Sequence, residues 1–283
     1  MGFSRRSLSR HALALFCLGL SALAHSGDTA TAGLRVGLMH SEPWAYYSRD
    51  GGNERKSQLS GVFVDISREL ARETGLSLEL NTLPYGRVGK ELQSGDCDLT
   101  YLIRSDDRDA YVEYAGYLFS FHTLVLARPG SALRSYDDLQ GLRIGLVKDI
   151  RLNPRFDGDA GLNKVEVRDY ETLVDMFLSG RLDAIAGNSI SLHHLLQKRG
   201  YPSQPWPRLM LQKTEVWAQM SKKSPQLGHL PRIRSAVEKL RGEGFFENAV
   251  QRYRPAAESA PQAKRSTRER ETAVSLTPTL SSR

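Results

Sequence analysis

The sequence predicts an α/β protein of parallel strands and crossover helices, laid out as two similar units. Three observations predict it. Strand-like alternation and helical periodicity take turns along most of the chain. The rhythm breaks at Arg128-Pro129-Gly130 and then starts again. The 283 residues are 40% hydrophobic and 25% charged, the balance of a globular chain of one or two domains.

In LRVGLM, Leu34, Val36 and Leu38 alternate, which predicts a strand. Val62, Phe63, Ile66 and Leu70 then recur at helical spacing, Gly75 stands where a helix stops, and LSLEL alternates again. Residues 83–94 read as a helix closed by Gly95, and 98–103 as a strand bearing Leu99, Tyr101 and Ile103. Such an order implies right-handed crossovers between parallel strands. After the break, Asp137-Asp138-Leu139 begins a short helix, and LRIGLV and KVEV are strands. Tyr170, Leu173, Val174, Phe177 and Leu178 fall at i, i+3, i+4, i+7 and i+8, an amphipathic stripe read as core. Residues 182–187 make the next strand and 189–198 the next helix. Pro202, Pro205 and Pro207 exclude regular structure there, and 216–220 is strand-like. Ile233, Val237 and Leu240 mark a helix ending near Gly242, and Phe245, Phe246, Val250 and Tyr253 a last one. From Pro255 onward Ser, Thr, Pro, Ala and charge dominate, which predicts a disordered tail over 255–283.

The net charge of +7 is concentrated at the ends. Without the three Arg of residues 1–24, and without the five basic and three acidic residues of 255–283, there remain 31 basic against 29 acidic side chains. A nearly neutral body with no block of like charge speaks against nucleic acid as a partner. Arg5, Arg6 and Arg10 precede an apolar run over 12–20, and Ala22-Leu23-Ala24 supplies small residues, so 1–24 reads as a signal peptide cleaved near Ala24, with export to the periplasm. Ser4-Arg5-Arg6-Ser7-Leu8 resembles a twin-arginine signal, but Ser9 stands where an apolar residue is usual, which favours ordinary secretion. Cys17 leaves with the signal. Cys97 is then alone, without an internal disulfide, and reads as a buried thiol.

Four stretches carry a resemblance: EPWAYYS followed by GVFVDISREL, then YGRVGKELQSGDCDL, RSDDRDAYVEYAGYLFS and DYETLVDMFLSGRLDAIAGNS. In order and spacing, over roughly residues 34–254, they resemble the periplasmic solute-binding proteins of the amino-acid-binding type, the family 3 extracellular solute-binding proteins. The resemblance implies a two-lobed periplasmic-binding-protein-like fold (type II), two α/β sandwiches joined by a two-segment hinge. It places lobe 1 at 34–125 and 216–254 and lobe 2 at 126–215, with crossings at 121–127 and 213–218. It also implies a small-molecule ligand, a membrane permease of an ABC importer as partner, no enzymatic activity, and a monomer.

Carried over residue by residue, Arg108 falls at the family's carboxylate-gripping position, and its planar fork suits a bidentate carboxylate. Pairing with Asp106, Asp107 or Asp109 on a solvated loop is the other reading, and Arg104 takes the role if the register shifts. Trp44, Tyr47 and Tyr85 fall where the family sets aromatics beside the ligand, or else are ordinary packing. Asn188 stands where relatives that hold an α-ammonium place Asp, and a neutral amide keeps hydrogen bonding without the Coulomb attraction. Val147-Lys148-Asp149-Ile150 replaces the usual Gly-Thr or Gly-Ser pair, and Tyr101 and Ile103 stand near the Ser or Thr positions before the Arg. These departures point to a ligand other than a standard α-amino acid, with Lys148 and Arg151 as replacement anion contacts.

Enzyme chemistry finds little in the sequence. His193-His194 and single histidines at 40, 122 and 229 give no zinc spacing, and there is no Gly-x-Ser-x-Gly and no Gly-rich phosphate loop, so no metal or cofactor is predicted. Two alternatives from other classes are a cyclohexadienyl dehydratase-like enzyme on the same scaffold, with Glu42 as the acid, and the ligand sensor of a membrane receptor.

Overall fold

The computed structural model describes residues 33–49, 57–201 and 206–253. The predicted signal peptide, Cys17, Pro202, Pro205 and the predicted tail lie outside the described residues. The elements are β1 (Leu34–Met39), β2 (Tyr46–Arg49), β3 (Ser57–Ser60), α1 (Val62–Thr74), β4 (Leu78–Leu83), α2 (Tyr85–Ser94), β5 (Leu99–Ile103), β6 (Val112–Ala127), β7 (Arg143–Val147), α3 (Pro154–Gly158), β8 (Asn163–Val167), α4 (Tyr170–Leu178), β9 (Ala184–Asn188), α5 (Ser189–Lys198), β10 (Arg208–Ser221), α6 (Leu230–Gly242) and α7 (Phe245–Gln251). Short 3₁₀ turns occupy Asp106–Arg108, Tyr136–Leu139 and Leu227–His229.

Eight strands join in the order β4-β1-β5-β10-β6-β9-β7-β8. In each half an opening strand, β1 or β7, lies between two parallel neighbours, β4 and β5 or β8 and β9. The long antiparallel pair β6 and β10 runs through the middle, from Arg208 opposite Leu126 to Ser221 opposite Val112, with register shifts that bend it. Phe119 to Thr123 and Gln212 to Val216 face each other in this ladder, where the chain passes from one half to the other.

Helix ends follow local chemistry. Gly75 and Gly95 close α1 and α2 in the left-handed region, at φ 62° and 91°. Asp169 and Asn188 cap α4 and α5 by accepting the N–H groups of Thr172 and Ser191, each at 2.7 Å. The amphipathic stripe of α4 is core as expected: Tyr170, Leu173, Val174 and Phe177 are buried, each apolar side chain contributing ~1.5–3 kcal/mol.

One hydrophobic cluster joins Leu34, Trp44, Phe63, Phe119, Val237 and Phe246, so α6 and α7 pack on the first half. In the second half, one cluster gathers Leu124, Tyr170, Phe177 and Leu195, and another Val125, Ile144, Leu152 and Phe156. Cys97 is buried, and burial pushes its thiol up to about 12 against the opposing effect of its backbone bonds to Gly37 and Leu99.

Two sequence expectations need correction, and two features were not expected at all. The strand expected at LSLEL runs Leu78–Leu83, since its register follows β1, Leu34 opposite Leu78 and Met39 opposite Leu83. The strand expected at 216–220 is the end of a 14-residue strand whose first half pairs only with β6. The hairpin of β2 and β3 and the five-residue α3 were not expected.

Candidate functional site

The loops after the parallel strands of both halves meet over the centre of the sheet, where α/β proteins bind ligands. They border a narrow cavity walled by Trp44, Phe63 and Tyr101 from one half, Ile150, Arg151 and Tyr170 from the other, and by Phe121, Thr123 and Val216 of the crossing strands. It opens on one side into a space of about 1240 Å³ lined by Arg104, Arg108, Arg151, Asp107 and Asp157. On the other side lies a space of about 1200 Å³ bordered by His40, Tyr47, Arg168 and Asp169. Tyr85, at the start of α2, borders all three.

Trp44 is set by its neighbours on every side. The first N–H groups of α1, at Val62 and Phe63, donate to the carbonyls of Pro43 and Trp44 at 2.9 Å, so the loop completes the helix end in place of a side-chain cap. A Cβ at Gly61, whose φ is 126°, would fall 2.5 Å from the Trp44 carbonyl oxygen, and only glycine allows this approach. The indole stacks against Phe63 and Phe119, with centroids 5.0 and 5.9 Å away, and Nε1 donates to Ser191 Oγ of α5 at 2.8 Å. Glu42 makes a second link to α5, with both oxygens 2.7 Å from Lys198 Nζ and Oε2 3.4 Å from His194 Nε2. The bond to His194, followed by Lys198, overrides burial and holds the Glu42 carboxyl at about 2.

Across the cavity, Gly187 leaves room for the ring of Tyr170, which a Cβ there would meet at 2.6 Å. The Tyr170 oxygen thereby accepts both Asn188 N at 3.0 Å and Asn188 Nδ2 at 2.9 Å, and burial pushes the phenol up to about 12. Burial likewise raises Tyr85, while the nearby guanidinium groups of Arg108 and Arg151 act in the opposite sense. Arg108 donates through Nη1 to the Ile103 carbonyl. Arg104 lies over the rings of Tyr114 and Trp217 at 4.7 and 5.1 Å. Among the described residues Arg104, Arg108 and Arg151 form no ion pair.

The six residues proposed from the sequence thus fall in three situations. Tyr85 and Arg108 face open space with unspent donors. Trp44, Tyr101 and Asn188 wall the cavity with their polar atoms engaged: Tyr101 OH lies 3.0 Å from Ser67 Oγ, and the Asn188 amide spans Tyr170 and Ser191. Tyr47 is 53% exposed and borders only the outer space with His40. Lys148 is exposed and walls none of these three spaces, whereas Arg151 borders two. Glu42 is outside them and ionised, unfit for the acid's role. Sequence reasoning missed Tyr170 and Thr123. Tyr170 had a usable signal, an aromatic directly after the cap residue at the C-terminal end of a strand.

A cleft between two α/β lobes, crossed twice by the chain and walled by both, defines a two-lobed periplasmic-binding-protein fold of type II. The family model of bacterial extracellular solute-binding proteins, family 3, matches residues 34–256, and the chain belongs to this family. It is 21% identical to a probable amino-acid-binding protein, YxeM, of Bacillus subtilis (strain 168), covering 78% of this chain and 83% of that protein. It is also 21% identical to a probable histidine-binding protein of Neisseria gonorrhoeae, covering 86% and 93%. Among solved structures, the amino acid ABC transporter substrate-binding protein AbpA from Streptococcus pneumoniae, bound to L-arginine, is similar at a TM-score of 0.64 and 19% identity, covering 79% of this chain and 95% of that one. A histidine kinase sensor domain with similarity to periplasmic binding proteins reaches 0.63 at 15% identity, covering 78% and 96%.

Proposed function

We propose that the chain is a periplasmic solute-binding protein that captures a small carboxylate-bearing ligand between its lobes and delivers it to the permease of an ATP-driven importer. The observation that carries this is the placement of Arg108 and Arg151, on opposite sides of one cleft, with no carboxylate partner among the described residues. A ligand bridging them gains contacts from both lobes only when the cleft closes, which is how binding selects the closed state. Lobe 1 is 34–125 with 216–254 and lobe 2 is 126–215, in keeping with hydrophobic clusters that divide near the middle of β6 and β10. The chain acts as a monomer and without catalysis. An acid for dehydratase chemistry is not supported by Glu42, which is tied to Lys198 and His194 away from the cavity.

A thermal-shift screen of amino acids, polyamines and organic acids tests the proposal. A ligand at a hundred times its Kd adds ~2.7 kcal/mol of stability, so a true ligand raises the melting temperature by several degrees. A flat response to every class contradicts solute binding. Uptake into proteoliposomes carrying a candidate permease, with this protein outside and ATP inside, then separates transport from sensing.

A further inference from the structure

We infer that the ligand is an organic acid with an apolar body and no ammonium group, a conclusion that rests on the solute-binding reading and narrows its ligand. Among the described residues, no carboxylate walls the central cavity. Most of its polar side chains are already spent. Trp44 Nε1 serves Ser191, Tyr101 OH serves Ser67, and Thr123 Oγ1 donates to the Leu152 carbonyl at 2.8 Å. Asn188 accepts from Ser191 N and donates to Tyr170 OH, so each end of its amide already has a partner within the fold.

What remains is made of donors. The Tyr170 oxygen accepts twice from Asn188, which leaves its proton to give. The Tyr85 hydroxyl and the Arg151 guanidinium have no hydrogen-bond partner among the described residues. Arg108 stands beyond Tyr85, with Nη2 and Nε unengaged among the described residues.

The carboxylates of the flanking spaces do not change this balance. Asp157 accepts from Leu152 N and Asn153 N, and Asp169 from Thr172 N and Arg168 Nε. Asp107 is exposed in the space it shares with three arginines, and Asp149 is exposed with its carboxylate against Gly86, outside the walls of the central cavity. An ammonium in the cavity would lose its water and find no charged acceptor. A carboxylate at the arginine end finds Tyr85, Arg108 and Arg151 as donors, and Phe121, Ile150 and Val216 receive an apolar body.

Titration calorimetry with three compounds tests the inference. 3-Phenylpropanoate and L-phenylalanine differ by the ammonium alone, and L-arginine adds a second cation. The expected result is that 3-phenylpropanoate binds at least tenfold more tightly than L-phenylalanine and that L-arginine gives no binding heat. Asn188→Asp puts a carboxylate in the wall while keeping a good helix cap, and should shift the ratio at least tenfold toward L-phenylalanine. Arg151→Gln should weaken 3-phenylpropanoate at least tenfold with an unchanged melting temperature of the free protein. Tighter binding of either amino acid overturns the inference and leaves solute binding standing. Failure of 3-phenylpropanoate to bind also overturns it, and only a wider screen that is flat for every class would remove solute binding as well.

Discussion

The strand that opens each half of the sheet carries the same arginine lock. In the first half, Arg35 donates from N, Nε and Nη2 to Asp98 at 2.8, 2.9 and 2.7 Å, and from Nη2 to the Gly95 carbonyl at 2.7 Å. In the second, Arg143 makes the same four contacts to Asp183 and Gly180 at 2.9, 3.1, 3.2 and 3.3 Å. Leu34-Arg35-Val36-Gly37-Leu38 matches Leu142-Arg143-Ile144-Gly145-Leu146, and Cys97 stands where Leu182 stands in the other half. The strand orders β4-β1-β5 and β8-β7-β9 mirror each other. The difference is depth. The Asp98 side chain is 1% exposed and also receives Ser224 Oγ, because the segment leading to α6 and α7 covers the first half; Asp183 is 36% exposed. One hydrogen-bond pattern therefore serves as a buried element in one half and a surface element in the other, and the surroundings decide its worth.

Removing each carboxylate should break the symmetry. Asp98→Ala leaves the Arg35 backbone N–H and Ser224 without their acceptor in a buried place and should cost ~3–5 kcal/mol in urea unfolding. Asp183→Ala should cost at most ~1 kcal/mol. Equal losses would mean that the two halves are alike in energy as well as in pattern.

The next effect joins the halves. A carboxylate whose folded pKa is depressed stabilises above its unfolded pKa and loses that contribution as pH falls through the folded value. For Glu42 the window runs from the ordinary 4.5 down to about 2. Over it the wild type should lose about 1–3 kcal/mol more than Glu42→Gln, since Lys198 is half-exposed and part of the gain is screened. Parallel acid-unfolding curves for the two proteins would count against the link between the Glu42 loop and α5.

The smallest effect concerns the loops after β1 and β7. The first is held by stacked aromatics, whereas the second is exposed and places Asp149 at φ 64°, the one non-glycine residue at positive φ among those described. Asp149→Gly should stabilise the protein by ~1 kcal/mol in thermal unfolding, and a loss would show that the Asp149 side chain holds the loop.

Where the sequence was legible, period and punctuation agreed. The helix expected at 189–198 is α5 without a residue's difference, because Asn188 both ends a buried strand and caps the helix. The first half of β10 was illegible because Arg208–Glu215 is mostly exposed, so burial imposes little pattern on it. β2 and β3 are four residues each and α3 is five, too short for periodicity to register. Family resemblance pointed to Trp44, Tyr101 and Asn188, which wall the cavity, but not to the bonds that their polar atoms make within the fold. Tyr170 was hidden by its own helix stripe, which reads as core whether or not the hydroxyl faces a cavity.

The central claim is that one cleft binds a negative group through arginines from both halves, and calorimetry on Arg108→Ala tests it most directly. Loss of a desolvated charged partner typically costs ~2–5 kcal/mol, so with the tightest-binding acid of the screen the affinity should fall more than about thirtyfold. The melting temperature of the unliganded variant should stay within a degree or two of the wild type, because among the described residues the one hydrogen-bond partner of this guanidinium is the Ile103 carbonyl. Unchanged affinity in Arg108→Ala would contradict the account.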